Sequence, residues 1–210
     1  MIYLQAGLYA EGPTDYDFLV PLLERLLDDL LARHYPGQST ELPTPLALDA
    51  ASDAGARRDG RIADVIQRFQ ETCQLFVIHA DADGDAVRAR NERVEPGVRK
   101  GLAGAANVAA AACIPIQMIE AWMLVDPEVL RGLGYDVPEL PADLERVRDP
   151  KKLLNRVLDA KRRGRRTNVY EIVGAKVQLP ALRRLPGFRS FEDELVVALR
   201  AIVPPGAIES

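Results

Sequence analysis

The chain has 210 residues, of which 48% are hydrophobic and 28% are charged, which is the composition of a globular protein with a buried core. Its length fits one domain, or one domain with a smaller appendage. The formal net charge of −4 excludes nucleic-acid binding through an overall basic field, so a polyanion would have to bind a local basic patch or a metal ion.

The sequence also indicates a cellular compartment. It does not begin with a basic segment followed by an apolar core, and Glu11 comes too early for a signal peptide. No apolar run is long enough to span a membrane. Cys73 and Cys113 lie in apolar surroundings and need no disulfide, which favours a reducing compartment. We therefore expect a cytoplasmic protein that does not enter a membrane.

The first part of the chain predicts a strand, a helix and a second strand. Residues 2–10 are apolar and stop at the sequence EGP, which predicts a buried strand and a turn. Thr14 and Asp17 have the spacing of a capping box, and leucines recur at helical spacing after them, which predicts a long amphipathic helix. Residues 44–50 form a candidate second strand, and residues 61–73 fit a helix.

Two more strands are expected further along. Residues 74–80, QLFVIHA, predict a buried strand, and a charged helix should cover residues 85–103. Residues 107–118 are apolar and strand-like toward their end. The alternation of strands and helices predicts an α/β fold over residues 1–126, with a mostly parallel, Rossmann-like sheet flanked by helices.

The remaining residues, 127–210, are expected to form a helical extension packed on that domain. Asp149 followed by Pro150 is typical of a helix start. Ser190 and Asp193 have the spacing of another capping box, which predicts a last helix after them.

Acidic side chains follow three of the apolar segments. Glu11 ends the first, Asp81 and Asp83 follow QLFVIHA, and Glu120 follows the third. The carboxyl ends of parallel strands share one edge of a sheet, where ligands bind, so these carboxylates should meet there. His79, inside the strand, is expected to be a core histidine on the opposite side from the neighbours of Asp81.

The spacing of Asp81 and Asp83 indicates a cation. Residues two apart in an extended segment project to the same side, where two carboxylates repel unless a cation lies between them. Oxygen ligands without histidine or thiolate favour Mg²⁺ or Mn²⁺ over zinc. Such an ion would neutralise charge in phosphoryl chemistry, with Glu11 completing the site or acting as a general acid or base.

The sequence EGPTDYDFL followed by HADADGD resembles the signature of the Toprim fold of primases, topoisomerases, recombination proteins and the nuclease half of OLD-family proteins. The segments IPIQMIEAWMLVD, DPKKLL, VGAKVQLPALRRLPGF and SFEDELVVAL resemble an uncharacterised family of small stand-alone Toprim-like proteins. The resemblance spans most of the chain. It implies Mg²⁺- or Mn²⁺-dependent hydrolysis of nucleic-acid phosphodiesters in bacterial defence or repair, beside an ATPase partner.

The resemblance also implies roles for single residues. Glu11 would be the Toprim glutamate, and Asp81 and Asp83 would be the metal-binding pair. Glu120 would add a further acid to the metal site, and Asp85 would be a secondary one. The chain has no tyrosine that stands out as a topoisomerase nucleophile, so we expect simple hydrolysis.

Two basic features are candidates for contact with nucleic acid. The resemblance suggests that Lys176 steadies a phosphate, as a basic residue does in related nucleases. The stretch KRRGRR could bind phosphates without reading sequence, through Arg162, Arg163, Arg165 and Arg166. A solvated helix terminus is the structural alternative for that stretch.

Other interpretations remain open for the acids. Turn chemistry or a helix macrodipole would also favour them at these positions. A calcium loop would use Asp81, Asp83, Asp85 and Glu92, although its sixth position, normally glycine, is Ala86 here. A haloacid-dehalogenase-type phosphatase also has two aspartates after a strand, but it has a threonine where this chain has Asp85.

Two classes of function therefore follow from the sequence. The first is a nuclease that depends on Mg²⁺ or Mn²⁺. The second is a non-catalytic subunit that binds nucleic acid or an ATPase partner, with acids that serve only the structure. Metal-dependent cleavage separates the two classes.

Overall fold

A sheet of four parallel strands forms the middle layer of the protein. The computed structural model describes residues 1–55, 57–159 and 168–203. The sheet contains β2 (Ala6–Tyr9), β4 (Leu46–Ala47), β5 (Leu75–His79) and β6 (Ala109–Cys113), and a separate parallel pair contains β1 (Ile2–Tyr3) and β3 (Thr40–Glu41). The order across the sheet is β4-β2-β5-β6. This topology confirms the predicted α/β fold with a parallel, Rossmann-like sheet.

Helices connect and flank the strands. Before β6 these are α1 (Pro13–His34), α2 (Arg58–Phe69), α3 (Ala86–Arg88) and α4 (Glu95–Gly101), with a π-helical turn over Ala89–Val94 between the last two. After β6 come α5 (Ile119–Met123), α6 (Pro127–Gly132), α7 (Pro150–Asp159), α8 (Val169–Lys176), α9 (Leu179–Leu182) and α10 (Pro186–Ile202). Of the helices in the described ranges, none is both long and apolar enough to cross a membrane.

The two faces of the sheet pack against different helices. Leu75 and Val77 of β5 belong to a hydrophobic cluster with the leucines of α1 and with the C-terminal helices. Phe76 and Ile78, which alternate with them, belong to a second cluster that includes Ile62, Val65 and Ile66 of α2. A strand buried on both faces is typical of a parallel sheet between two helical layers. The protein therefore has three layers, with the sheet in the middle.

The C-terminal helices share the core of the sheet through an aromatic cluster. The ring centroid of Trp122 in α5 lies 5.2 Å from that of Phe188 and 6.0 Å from that of Phe191, both in α10. Its indole N–H donates to the buried carboxylate of Glu145 at 2.9 Å, and the backbone N–H of Gly187 donates to the same carboxylate. The polar groups of Trp122 and Glu145 thus have hydrogen-bond partners, as buried polar groups require.

Helix α1 begins differently from the prediction. Its N-cap residue is Gly12, and the carboxylate of Asp15 accepts a hydrogen bond of 2.9 Å from the Gly12 backbone N–H. The predicted pairing of Thr14 with Asp17 is therefore wrong. Pro13 occupies the first helical position, where its missing N–H costs nothing, and this moves the start of the helix ahead of Thr14.

The helix starts in the C-terminal part give one correction and one confirmation. Helix α10 begins at Pro186, so Ser190 and Asp193 lie inside it and do not form its capping box. The predicted start of α7 is confirmed, because the Asp149 carboxylate accepts from the backbone N–H of Lys152 at 2.8 Å.

Strand β6 lies earlier in its segment than predicted. It covers the alanine-rich run, whereas the residues from Ile114 onward leave the sheet at Pro115, which has no N–H to donate. This strand is at the edge of the sheet, and α10 covers it. The Glu194 carboxylate accepts a hydrogen bond of 2.8 Å from the backbone N–H of Ala112. Alanine can serve as a strand residue here because α10 and β5 bury it.

Candidate functional site

Glu11, Asp81 and Asp83 follow two neighbouring strands, as predicted, whereas Glu120 lies in α5 and not at the end of a strand. Tyr9, the last residue of β2, pairs with Ile78 of β5, and Glu11 and Asp81 follow these strands directly. Asp83 lies in the loop after β5. We refer to Glu11, Asp81 and Asp83 as the acid edge.

One guanidinium group joins the acid edge. Arg93 donates from Nη2 to a carboxylate oxygen of Glu11 and from Nη1 to the backbone carbonyl of Asp81, the latter at 2.6 Å. Its Nη1 also lies 3.6 Å from a carboxylate oxygen of Asp83. Arg93 therefore places a positive charge between the carboxylates of Glu11 and Asp83, and it contacts Asp81 through the backbone carbonyl alone among the described contacts.

A second arginine contacts the same carboxylate. Arg58 Nη1 lies 2.9 Å from Oε1 of Glu11, the oxygen that also accepts from Arg93. Arg58 donates as well to the backbone carbonyls of His79 and Arg93. Burial lowers the pKa of Arg58, while the neighbouring charge of Glu11 opposes that shift. Glu11 is thus held by two guanidinium groups from two separate helical segments.

The π-helical turn positions Arg93. Arg90 and Arg93 both lie in Ala89–Val94. Arg90 forms an ion pair with Glu194 of α10, whereas Arg93 reaches Glu11 and the end of β5. A single π-helical turn inserted in a longer helix is rare and is frequent at functional sites.

The loop after β5 turns sharply, contrary to the extended course expected for it. Asp83 has φ of +51° and Gly84 has φ of +90°, so the chain reverses there and Gly84 donates to the carbonyl of Ile116 at 2.8 Å. As a result the two aspartates have different surroundings: the side chain of Asp81 is 21% exposed and that of Asp83 is 58% exposed. The argument from extended spacing is therefore wrong, although both residues still contact Arg93.

Asp85 has a structural task in this loop. Its carboxylate accepts a hydrogen bond of 2.9 Å from the backbone N–H of Arg88 and so caps α3. Glu92, which the calcium-loop alternative requires, is exposed in the π-helical turn.

A fully buried histidine lies behind Asp81. His79 Nε2 is 3.3 Å from Oδ1 of Asp81, and its Nδ1 is 3.7 Å from Oδ2 of Asp15. Within the described residues, both ring nitrogens and this Asp81 oxygen are buried without a well-formed hydrogen bond. His79 is a core residue as predicted, and its ring faces Asp81.

Glu120 lies in α5 and is buried, with only 3% of its surface exposed. The hydroxyl of Tyr170 donates to its Oε1 at 3.2 Å, and Lys151 Nζ is 3.6 Å from the same oxygen. Burial raises the pKa of Glu120, and the charge of Asp81 raises it further, while Lys151 lowers it. Glu120 is therefore within electrostatic reach of Asp81 but has its own hydrogen-bond partners.

The predicted basic residues are not brought to the acid edge. Lys176 is the exposed last residue of α8 and forms no ion pair with the described part of the chain. The lysine that does meet a candidate acid is Lys151. The remaining predicted contacts lie outside the described residues: Arg162, Arg163, Arg165 and Arg166.

Several residues of the site were not found from the sequence. Arg58 and Arg93 are separated from Glu11 by long stretches of chain and follow no local pattern that marks them. His79 carried a usable signal, because it is two residues before Asp81, and side chains two apart in a strand share a face. Asp15 and Tyr170 meet the site only through packing of α1 and α8.

The donors have the chemistry of a divalent-cation site but are not gathered as one. Carboxylate oxygens suit Mg²⁺ and Mn²⁺, but the Asp81 oxygen that is buried without a hydrogen bond faces the ring of His79. Across residues 1–55, 57–159 and 168–203, no group of three or more His, Cys, Asp or Glu side chains is arranged to hold a metal ion. The reason is that Glu11 turns its carboxylate to Arg58 and Arg93.

Comparison of the chain with protein-family models, with curated proteins and with solved structures gives no match. The class that the fold and the site support is therefore limited to an α/β protein with an acidic edge joined by arginines.

Proposed function

We propose that the protein is a Mg²⁺- or Mn²⁺-dependent nuclease of the Toprim type that hydrolyses phosphodiester bonds of nucleic acid. The observation that carries the proposal is the placement of Glu11, Asp81 and Asp83 after two adjacent parallel strands, with the carboxylates of Glu11 and Asp83 both within ion-pair distance of Arg93. Open parallel sheets bind ligands at this edge. The sequence resemblance supports the same residues.

The carboxylates of Asp81 and Asp83 would hold the ion, together with Glu11 once its arginine partners move away. A bound divalent cation would supply Lewis acidity for activating water and for neutralising charge on the phosphodiester. Hydrolysis adds the oxygen of water to phosphorus and breaks one P–O ester bond, which leaves a phosphate end and a hydroxyl end. His79 would act as a positioning residue, because its ring lies against the Asp81 carboxylate.

Arginine has a second role in this proposal. Arg58 and Arg93 present guanidinium groups beside the acids, where a phosphate would approach. Guanidinium groups bind phosphate oxygens through two parallel hydrogen bonds. The two arginines would therefore hold the substrate next to the carboxylates. A role in bacterial defence or repair and an ATPase partner belong to the proposal through the resemblance.

The test is cleavage of labelled single- and double-stranded DNA and RNA with Mg²⁺, Mn²⁺ or Ca²⁺. We expect cleavage in Mg²⁺ or Mn²⁺ that Asp81→Asn abolishes. Asp193→Asn is the matched control, since Asp193 is an exposed aspartate on α10, away from the acid edge. Cleavage that survives Asp81→Asn would contradict the proposal.

One observation favours a second candidate, a non-catalytic subunit that binds nucleic acid. Glu11 is already neutralised by Arg58 and Arg93, as in a site that serves binding and structure alone. Nucleic-acid binding without cleavage in any of the three metals would favour this candidate.

A further inference from the structure

A cleft of about 410 Å³ opens beside Glu11. Its walls come from the end of β2, the start of α1, the loop after β4, helix α2 and the π-helical turn. Three arginines line it, namely Arg58, Arg61 and Arg93. We call this the arginine cleft. Its volume is within the range of about 300–1,000 Å³ that is usual for ligand sites.

Two of these arginines are held firmly in place. Arg58 donates from Nε to the backbone carbonyl of Arg93 at 3.1 Å and from Nη2 to the carbonyl of His79, and it stacks over the ring of Tyr9. Arg93 donates to the carbonyl of Asp81. Side chains fixed in this way lose little conformational entropy when a ligand binds, so they form a preorganised site.

The charge in the arginine cleft is positive. Against three guanidinium groups there are two carboxylates, Glu11 and Asp49, which leaves one positive charge in excess. Both Arg58 and Arg93 share a single oxygen of Glu11. The whole chain carries a net charge of −4, so the cleft is a local exception to the overall charge.

We propose that the arginine cleft binds the phosphate groups of a nucleic-acid strand and leads that strand to the acid edge. The inference rests on the proposed function for the class of substrate. Glu11 lines the cleft and also belongs to the acid edge, so a strand held in the cleft lies beside the acid edge. Arg58 and Arg93 converge on one oxygen and suit one phosphate, and Arg61, on the same helix as Arg58, suits a neighbouring phosphate of the polymer.

The binding of an anion also changes the partners of Glu11. A phosphate in the cleft competes with the Glu11 carboxylate for Arg58 and Arg93, because both are oxyanions that bind guanidinium forks. Glu11 is released from at least one arginine when the strand binds. The binding of the strand and the availability of Glu11 are thus coupled.

The test measures binding without divalent cations, in EDTA, so that no cleavage is needed. Labelled single-stranded DNA and RNA oligonucleotides are titrated by fluorescence anisotropy over a series of salt concentrations. Arg61→Gln removes an exposed side chain of α2 and leaves the core unchanged. We expect binding to weaken roughly tenfold and the salt slope to fall by about 0.7, the value for one phosphate contact on a single strand.

Arg146→Gln is the control, since Arg146 is 87% exposed, lies outside the cleft and pairs with Asp143 three residues earlier. It should bind like the wild type. Equal binding by Arg61→Gln and wild type would overturn the inference. Unlabelled oligonucleotide should displace the labelled one better than inorganic phosphate or a mononucleotide does at equal phosphate concentration. Equal displacement by all three competitors would also overturn the inference.

The outcome is separable from that of the proposed function. Arg61-dependent binding by a protein that cleaves nothing in Mg²⁺ or Mn²⁺ supports this inference and contradicts the nuclease. Cleavage by the wild type, together with equal oligonucleotide binding by wild type and Arg61→Gln, supports the nuclease and overturns this inference.

Discussion

The imidazole Nε2 of His79 lies 3.3 Å from the Oδ1 carboxylate oxygen of Asp81, and both atoms are buried. The other ring nitrogen faces Asp15, in the first turn of α1. The histidine therefore lies between the end of β5 and the start of α1. Its ring lies against the Asp81 carboxylate oxygen that faces the interior. The other oxygen of that carboxylate is left for the acid edge.

Replacing His79 by alanine should destabilise the protein by about 2–4 kcal/mol, because it opens a cavity in the core and removes the ring that lies against the carboxylates of Asp81 and Asp15. Urea unfolding measures this loss. The pair can be tested with a double-mutant cycle that adds Asp81→Asn. We expect the two losses to be non-additive by about 0.5–3 kcal/mol, and strict additivity would show that the two side chains do not interact.

Replacing Arg93 by glutamine should strengthen the binding of Mn²⁺, because it removes the positive charge between Glu11 and Asp83. We expect a gain of roughly tenfold in affinity, measured by isothermal titration calorimetry. Arg90→Gln is the matched control, since Arg90 lies in the same π-helical turn but pairs with Glu194. Equal affinity in the two variants would argue against a metal at the acid edge.

Glu120 makes stability depend on pH. Burial raises its pKa above the ordinary value of 4.5. The stability associated with the protonated carboxyl is therefore present below that value and is lost as the pH rises through the raised pKa of the folded state. Glu120→Gln stays neutral at every pH. Its free energy of unfolding, relative to that of the wild type, should therefore increase as the pH rises through the raised pKa of Glu120.

Urea unfolding at a series of pH values checks this prediction. Tyr170→Phe provides a second comparison, because it removes a hydrogen bond that favours the charged form of Glu120. This variant should lose more stability than wild type as the pH rises. A difference between wild type and Glu120→Gln that is constant with pH would contradict the argument.

Gly174 allows α8 to approach α1 closely. A Cβ atom at this position would lie 2.2 Å from the backbone carbonyl oxygen of Phe18 and 2.9 Å from Pro21. Gly174→Ala should therefore cost about 2 kcal/mol or more, since neighbouring backbone has to move. Gly132→Ala is the matched control in a helix with open space around it, and it should be neutral or stabilising by up to about 1 kcal/mol. Equal melting temperatures for both variants would rule out the close approach.

The sequence contained enough to predict the sheet and the edge where the acids meet. The strand in QLFVIHA is buried on both faces, so a continuous hydrophobic run predicts it. The helical spacing of the leucines predicts α1. The acids after β2 and β5 meet because these strands are neighbours, which follows from the α/β class and the ordinary behaviour of parallel sheets.

The surroundings of the acids could not be predicted from the sequence. Arg58 and Arg93 reach Glu11 only after α2 and the π-helical turn pack on the second face of the sheet. Turn geometry was missed as well, because Asp83 adopts a positive φ that aspartate tolerates but does not require. The start of β6 was missed because alanine has little strand preference of its own, and the covering helix decides its conformation.

The bond from Ala112 to Glu194 has a consequence for how the protein can associate with others. An exposed edge strand is a template on which a second chain can add a strand. A chain that extended the sheet at β6 would have to displace α10 and separate Glu194 from both Ala112 and Arg90. At the opposite edge, β4 offers only two residues for pairing. Strand addition is therefore disfavoured at both edges of the four-stranded sheet.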